Sequence, residues 1–316
     1  MRTVTVRAHA KINLALRVLG IRPDGYHELR TIFQTIGLHD IVRCTERPGP
    51  FAIECSTAGV PLDSSNLIWK AAAALWRALR RPGEPAGVLV RLEKRIPIEA
   101  GLGGGSADAA AALIALARLW RVDARPEQLA DVGAAVGADV PFFLWGGTAL
   151  GLGRGDEIYP LADRPPRWVV LLVPGFGVSS RDAFTWYDAD GARGLHARAG
   201  SGHEPSMWPA PRVQMVNDLE APVSLRHPEI AKMAAALKRV GAEMAAMSGS
   251  GSTVFGLFRR QRDATAATRA LEGSPWRVFT VASLGRGEYL RQTRPRVASV
   301  KGASAAGSGP QSSKKR

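Results

Sequence analysis

"IPIEAGLGGGSADAAAALIALARLW", residues 96–120, decides how this chain is read. It runs from the end of an alternating strand pattern through a glycine-rich loop into an alanine-rich helix. Gly101, Gly103, Gly104 and Gly105 lack a Cβ where a backbone can approach a ligand, and Ser106 is a natural N-cap for the alanine-rich segment behind it. Helix N-termini present unpaired N–H groups and the positive end of a dipole, so the arrangement suits an anion. Two familiar phosphate loops are excluded. A Walker A loop ends in Gly-Lys-Ser/Thr, whereas Gly105-Ser106-Ala107 has no lysine; the dinucleotide fingerprint needs a glycine where Ser106 stands, although Asp123 lies at a suitable distance downstream. On this stretch alone an anion cradle and a plain strand-to-helix turn both stand.

The 316 residues, 46% hydrophobic, suffice for about two domains with real cores. No apolar run approaches the ~20 residues that span a bilayer. The longest, "WVVLLVPGFGV" at 168–178, is broken by Pro174 and Gly175. The opening "MRTVTVRAHAKINLAL" alternates like a strand and lacks the apolar stretch of a signal peptide, so a cytoplasmic location is expected. Cys44 and Cys55 show no metal-ligand spacing and read as ordinary thiols. The formal charge of +14 is unevenly placed. Arg291, Arg294, Arg296, Lys301, Lys314, Lys315 and Arg316 fall in residues 291–316, which hold no acidic residue and too few large apolar ones to fold. A basic tail of that kind leaves a nucleic-acid-binding protein as a rival reading. The mildly basic remainder suits a substrate with several phosphates.

Along the chain, "TVTVRAHAKINLALRVL" and "LRTIFQTIGL" read as strands joined by the turn "GIRPDGYHE". "DSSNLIWKAAAALWRALR" reads as a capped helix, and "GVLVRLEKRIPI" as the strand that enters the glycine loop. Leu113, Leu116, Leu119 and Trp120 recur at helical spacing behind that loop. A further helix breaks at Gly137, with Asp139 in the break before Pro141. The second half offers a strand at 168–173, a short helix near "SSRDAFTWYD", an exposed loop at 189–212, a helix at 229–240, and the glycine turn of "MSGSGSTVFGLF" entering a strand.

Three segments, "AKINLAL" at 10–16, "PIEAGLGGGSADAA" at 97–110 and "SGSGSTVFGLF" at 248–258, together resemble the GHMP kinases, over about residues 1–288. The variants "PDGYHEL", "GLGGGS", "GADVPFF" and "NDLE" resemble the branch that acts on a cytidine diphosphate-linked methylerythritol. The resemblance implies an α+β, two-domain GHMP kinase fold with the active site in the cleft between the domains. Residues 1–155 would form the N-terminal domain, 156–288 the C-terminal one, and 289–316 a basic disordered tail. It implies ATP and Mg²⁺ as cofactors, a small-molecule substrate, no nucleic-acid or membrane partner, and a monomer or weak homodimer.

Residue by residue, the resemblance makes Lys11 and Asp139 the catalytic pair. Pro97, Gly101, Leu102, Gly103, Gly104, Gly105 and Ser106 would hold the ATP phosphates, with Asn66 and Lys94 on the ATP side. Asn13, Tyr26, His27 and Phe184 would hold the cytidine part: His27 at the base edge, Tyr26 and Phe184 on its two faces. Most members carry serines directly after "GLG", and one of these helps hold Mg²⁺; here those positions are Gly104 and Gly105, so the metal ligands stay unassigned, with Ser106 the only nearby hydroxyl. Another GHMP kinase substrate, such as homoserine or mevalonate, is the nearer alternative.

Overall fold

The computed structural model describes residues 1–194 and 216–299. A long hairpin opens the chain: β1 (Arg2–Ile21) and β2 (His27–Pro50), closed where Ile21 pairs with His27. Next come β3 (Ala52–Glu54), α1 (Leu67–Ala78), β4 (Ala86–Glu93), α2 (Gly104–Leu119), α3 (Pro126–Ala134), α4 (Phe142–Trp145), β5 (Thr148–Leu152) and β6 (Glu157–Pro160). The second half comprises β7 (Trp168–Val173), α5 (Ser180–Ala192), α6 (Glu220–Arg226), α7 (Glu229–Arg239), β8 (Met244–Met247), β9 (Val254–Phe258), α8 (Gln261–Leu271) and β10 (Arg277–Ala282). Finally α9 (Arg286–Thr293) and β11 (Arg296–Ser299) return to the first half.

Two sheets result. The first runs β11-β1-β2-β4-β3, with β5 also paired to β2 and carrying β6; the second is an antiparallel β10-β7-β9-β8. The alternation along β7 shows how they stack. Val169, Leu171 and Val173 enter the core shared with Ile12, Ile32 and Ile36 of the first sheet, while Val170 and Leu172 pack with Met233 and Leu237 of α7. On its other face the first sheet is covered by α1 and α2, through Ile68, Leu75, Leu113 and Leu116. The protein is therefore a mixed helix-and-sheet structure in four layers, with both sheets inside.

The outer helices show the amphipathic pattern that such an arrangement needs. α7 buries Ile230, Met233, Ala234 and Leu237, spaced at three and four residues, and leaves Lys238 and Arg239 at its C-terminal end, where cations suit the dipole. α2 is different. Its alanines are buried on nearly every side because it is wedged between the sheet, α1, α3 and α4.

β1 carries the feature that positions the site. Its register against β2 shifts between His9 and Lys11. Before the shift, Val4, Val6 and Ala8 belong to the core under α1 and α2; after it, Ala10, Ile12 and Leu14 belong to the core between the sheets. The same parity thus serves opposite faces on either side of the irregularity, where residues 36–38 of β2 stand against the single Ala10 of β1 and regular pairing is interrupted. Lys11 and Asn13 are thereby turned to the face where α2 begins.

Several expectations need correction. β2 extends to Pro50 and β3 follows it, because this edge of the sheet also pairs with β4, a partner that local pattern does not reveal. The boundary expected at 155 falls inside the β5–β6 hairpin, which belongs wholly to the first sheet. The disordered tail cannot begin at 289: Tyr289 and Thr293 of α9 are buried, the Tyr289 hydroxyl donates to the Phe143 carbonyl, and β11 pairs with β1. Few apolar residues suffice there because a preformed sheet edge supplies the backbone partners. Residues 189–192 of the expected loop end α5, whereas 195–212, like Lys301, Lys314, Lys315 and Arg316, lies outside the described residues. Among the described residues no helix is long and apolar enough to cross a membrane.

Candidate active site

A cleft of about 1040 Å³ runs between the two halves, and every site residue expected from the sequence lines it. At its centre lies Lys11, almost wholly buried on β1. Its ammonium donates to Asn13 Oδ1 at 2.6 Å and faces Asp139 Oδ2 at 3.5 Å. Asn13 in turn donates to Thr31 Oγ1 at 2.7 Å, and Thr31 to the Ala15 carbonyl at 2.8 Å. Lys11 is therefore aimed by a relay anchored in the β1–β2 hairpin. Asn13, expected among the substrate contacts, is buried and occupied in orienting the lysine. Asp139 sits in the turn after α3, its side chain one-third exposed to the cleft.

The glycine loop reaches the same point from above. The Lys11 N–H donates to the Leu102 carbonyl at 3.0 Å, which ties loop to strand. Gly103, in the left-handed conformation, is the N-cap of α2, so Ser106 lies inside the first turn instead of capping it. The N–H groups of the first turn have no partner within the helix and face the cleft beside Lys11 and Asp139. The glycines themselves answer to packing as well as to any ligand. A Cβ on Gly101 would lie 2.0 Å from the Ser248 carbonyl oxygen, one on Gly103 2.8 Å from Phe143 Cζ, and one on Gly104 2.9 Å from Ile96 Cγ2. Only Gly105 has no such constraint, with Leu67 Cδ1 at 3.4 Å.

Two residues expected on the ATP side have structural partners. Asn66 caps α1 by accepting from the Ile68 N–H at 2.8 Å, and its amide donates to the Pro61 carbonyl at 2.6 Å. Lys94 bridges two buried carboxylates, Asp40 at 2.5 Å and Asp108 at 2.7 Å. Asp40 also accepts from the N–H groups of Arg95 and Ile96. Burial pushes the Asp108 carboxyl well above the usual carboxylate range, and the two carboxylates hold the Lys94 ammonium above its ordinary value against the opposing effect of burial. Both Asn66 and Lys94 line the cleft with atoms already committed elsewhere.

At the other end of the cleft, α5 presents Phe184 and Asp188, one turn apart, to His27. The Phe184 and His27 rings stack at 4.5 Å and 18°, and His27 Nε2 lies 2.9 Å from Asp188 Oδ1. Tyr26 stands apart, exposed, with the Arg154 guanidinium 5.1 Å from its ring centroid. The open slot expected between Tyr26 and Phe184 is thus not how the three rings are arranged: His27 itself covers a face of Phe184.

Sequence reading missed the turn that locks these parts together. Ser248 Oγ donates to the Gly101 carbonyl at 2.9 Å and accepts from the Asn13 N–H at 3.4 Å. Asn217 fixes the turn by donating to the carbonyls of Met247 and Gly249 at 2.9 and 2.8 Å. "NDLE" and "SGSGS" stood out as motifs, but their contact lies across more than thirty positions of chain. Asp40 had no signal at all in "GLHDIV".

Among the described residues no group of three or more His, Cys, Asp or Glu could hold a metal. The arrangement fits an anion at the start of α2, a lysine and a carboxylate in the same cleft, and a second ligand between α5 and the β1–β2 hairpin. Residues 66–147 match the family model "GHMP kinases N terminal domain", and 211–277 match "GHMP kinases C terminal". A "4-diphosphocytidyl-2-C-methyl-D-erythritol kinase" of Exiguobacterium sibiricum is 40% identical over 288 residues, 90% of this chain and 99% of the relative. One of Solibacter usitatus is 44% identical over 278 residues, 84% of each chain. A crystal structure of a "4-(cytidine 5'-diphospho)-2C-methyl-D-erythritol kinase" superposes with a TM-score of 0.67 at 32% identity, over 89% of this chain and 99% of that one. With both halves of the family matched in order and full-length relatives at this identity, the chain belongs to the GHMP kinase family and is an ATP-dependent small-molecule kinase.

Proposed function

We propose that the chain transfers the γ-phosphoryl group of ATP to the 2-hydroxyl of 4-diphosphocytidyl-2-C-methyl-D-erythritol, a step in the non-mevalonate route to isoprenoid precursors. The observation that carries the reading is the Lys11–Asp139 pair lying in one cleft between the start of α2 and the His27–Phe184 stack. Relatives bearing this name at about 40% identity support it.

Phosphoryl transfer through a loose transition state depends mainly on alignment and neutralisation of charge. The unpaired N–H groups of Gly104, Gly105 and Ser106 bind the phosphates in place of a P-loop lysine. Lys11 is a fixed point charge beside the transferred group, and Asp139, paired with that ammonium, orients the acceptor hydroxyl and takes its proton. Mg²⁺ fits the donor set, because it keeps several waters and needs only one or two protein oxygens. Ser106 and Asp139 each bring a side-chain oxygen to the cleft and would hold the ion, which would neutralise phosphate charge. Tyr26, His27 and Phe184 bind the cytidine; the cytoplasm, where ATP is abundant, is the working compartment.

A coupled ATP-consumption assay on the cytidine substrate, mevalonate, homoserine and galactose tests the reading. Turnover of the first at least about a hundredfold above the others in kcat/KM is expected. Preference for any of the other three would sink it.

A further inference from the structure

α5 holds His27 from two directions. Phe184 lies flat against the imidazole, and Asp188, one helical turn further on, takes its Nε2 edge at 2.9 Å. A carboxylate can only accept a hydrogen bond, so Nε2 must carry the proton. In the neutral ring the lone pair is then at Nδ1, and no described residue hydrogen-bonds that atom although His27 lines the cleft. Asp188 is half exposed at the cleft wall, and its contact with His27 spans 161 positions of sequence.

An edge that accepts but cannot donate is a chemical filter. It matches an exocyclic amino group and faces a carbonyl oxygen with a second lone pair. Stacking on Phe184 cannot make that distinction, because every base has a π-face. We propose that Asp188 is a specificity-determining positioning residue: by fixing the His27 proton on Nε2 it leaves Nδ1 to accept from the amino group of cytosine and to turn away uracil. A base bonded in the plane of the imidazole also lies in the layer parallel to the Phe184 ring, so one helix face sets both the plane and the polarity of recognition. The inference rests on the cytidine reading of the cleft.

The test compares kcat/KM for the cytidine diphosphate-linked substrate and its uridine diphosphate counterpart in wild type, Asp188→Asn and Asp188→Glu. Nitrogen-15 spectra of the histidines at pH 8 are recorded alongside. The wild-type imidazole of His27 should be the neutral Nε2–H tautomer. Asp188→Asn can accept or donate, so its tautomers should mix, and the cytidine-to-uridine ratio should fall at least about tenfold through KM for the nucleotide. Its kcat and its KM for ATP should change by less than about twofold, which a general loss of structure would not allow. Asp188→Glu should recover most of the ratio. An Asp188→Asn enzyme that keeps the wild-type ratio within about twofold overturns the proposal, as does an Nδ1–H tautomer or an imidazolium in the wild type. Should the wild type phosphorylate neither nucleotide substrate, the functional reading falls and takes this proposal with it; an unaffected ratio on an active enzyme sinks the proposal alone.

Discussion

The space that a side chain on Gly101 would need is filled by the carbonyl oxygen of Ser248, 2.0 Å from where a Cβ would stand. The glycine loop of the first half and the glycine turn of the second are therefore pressed backbone to backbone, and the Ser248 hydroxyl closes the joint by donating to the Gly101 carbonyl. Gly101 has φ +71, a second reason for glycine. Gly101→Ala should lower the unfolding free energy by at least about 2 kcal/mol, since the left-handed backbone alone costs roughly 1–2 kcal/mol before any clash. Gly105→Ala, which meets only ordinary contact, should stay within about 1 kcal/mol of wild type. Urea denaturation of the two variants separates them; equal effects would show that the joint is not what requires glycine.

Lys11 and Asp139 should behave as a unit. Asp139→Asn keeps the shape and removes the charge, and kcat should fall about 10²–10⁴-fold with substrate binding kept. Lys11→Met should be of similar severity, and the double variant far less than multiplicatively worse. Single-turnover kinetics provide the check: an Asp139→Asn enzyme that keeps more than about a tenth of the wild-type rate excludes a base role.

Lys94 tests the difference between a phosphate ligand and a buried counter-ion. Lys94→Met strands Asp40 and Asp108 without their cation, and breaking a buried pair in this way costs about 3–5 kcal/mol. Adding Asp108→Asn removes one stranded charge and should recover part of the loss. Stability measured at pH 7 decides, and a Lys94→Met protein as stable as wild type but unable to bind ATP would return the lysine to the ATP site.

His9 makes the fold acid-sensitive. It is fully buried against His39, and burial lowers its pKa from 6.5 to about 4, assisted by the neighbouring His39. The unfolded chain then binds more protons than the native one between those values, so stability falls as pH drops from about 6.5 to about 4 and changes little further from this group. The loss from pH 7 to pH 5 should be about 2 kcal/mol, and His9→Gln should remove most of that slope. Urea midpoints at the two pH values test it; an unchanged slope in His9→Gln refutes the assignment.

Tyr289 anchors the returning segment that sequence composition assigned to the tail. Tyr289→Ala should cost about 3–5 kcal/mol, the range for emptying a buried aromatic site, and Tyr289→Phe about 1 kcal/mol for the hydrogen bond to Phe143. Thermal unfolding distinguishes the two. Wild-type stability in Tyr289→Ala would mean that α9 contributes nothing to the first half.

The amino-acid sequence determined the parts whose information is local. The run through Gly101–Ser106 into buried alanines specifies a loop entering a helix, and alternation in "TVTVRAHA" specifies a strand. Asp139 before Pro141 specifies a turn. The family motifs then named Lys11, Asp139, His27 and Phe184 without a structure. What tertiary structure alone decided is where those groups point and what else they touch. The irregularity between His9 and Lys11 reverses which face of β1 looks at α2, and strand periodicity cannot show it, because a break in register is visible only against a partner strand. Asn13, which the family motifs assign to the cytidine, becomes the support for Lys11 only when Thr31 and Ser248 surround it. Lys94 and Asn66 look free until Asp40, Asp108 and the end of α1 claim them. Tail-like composition misread α9 and β11, since a segment with little hydrophobicity of its own can fold on an edge that β1 already provides. Local sequence encodes propensity and chemistry; long-range pairing decides direction, burial and partner.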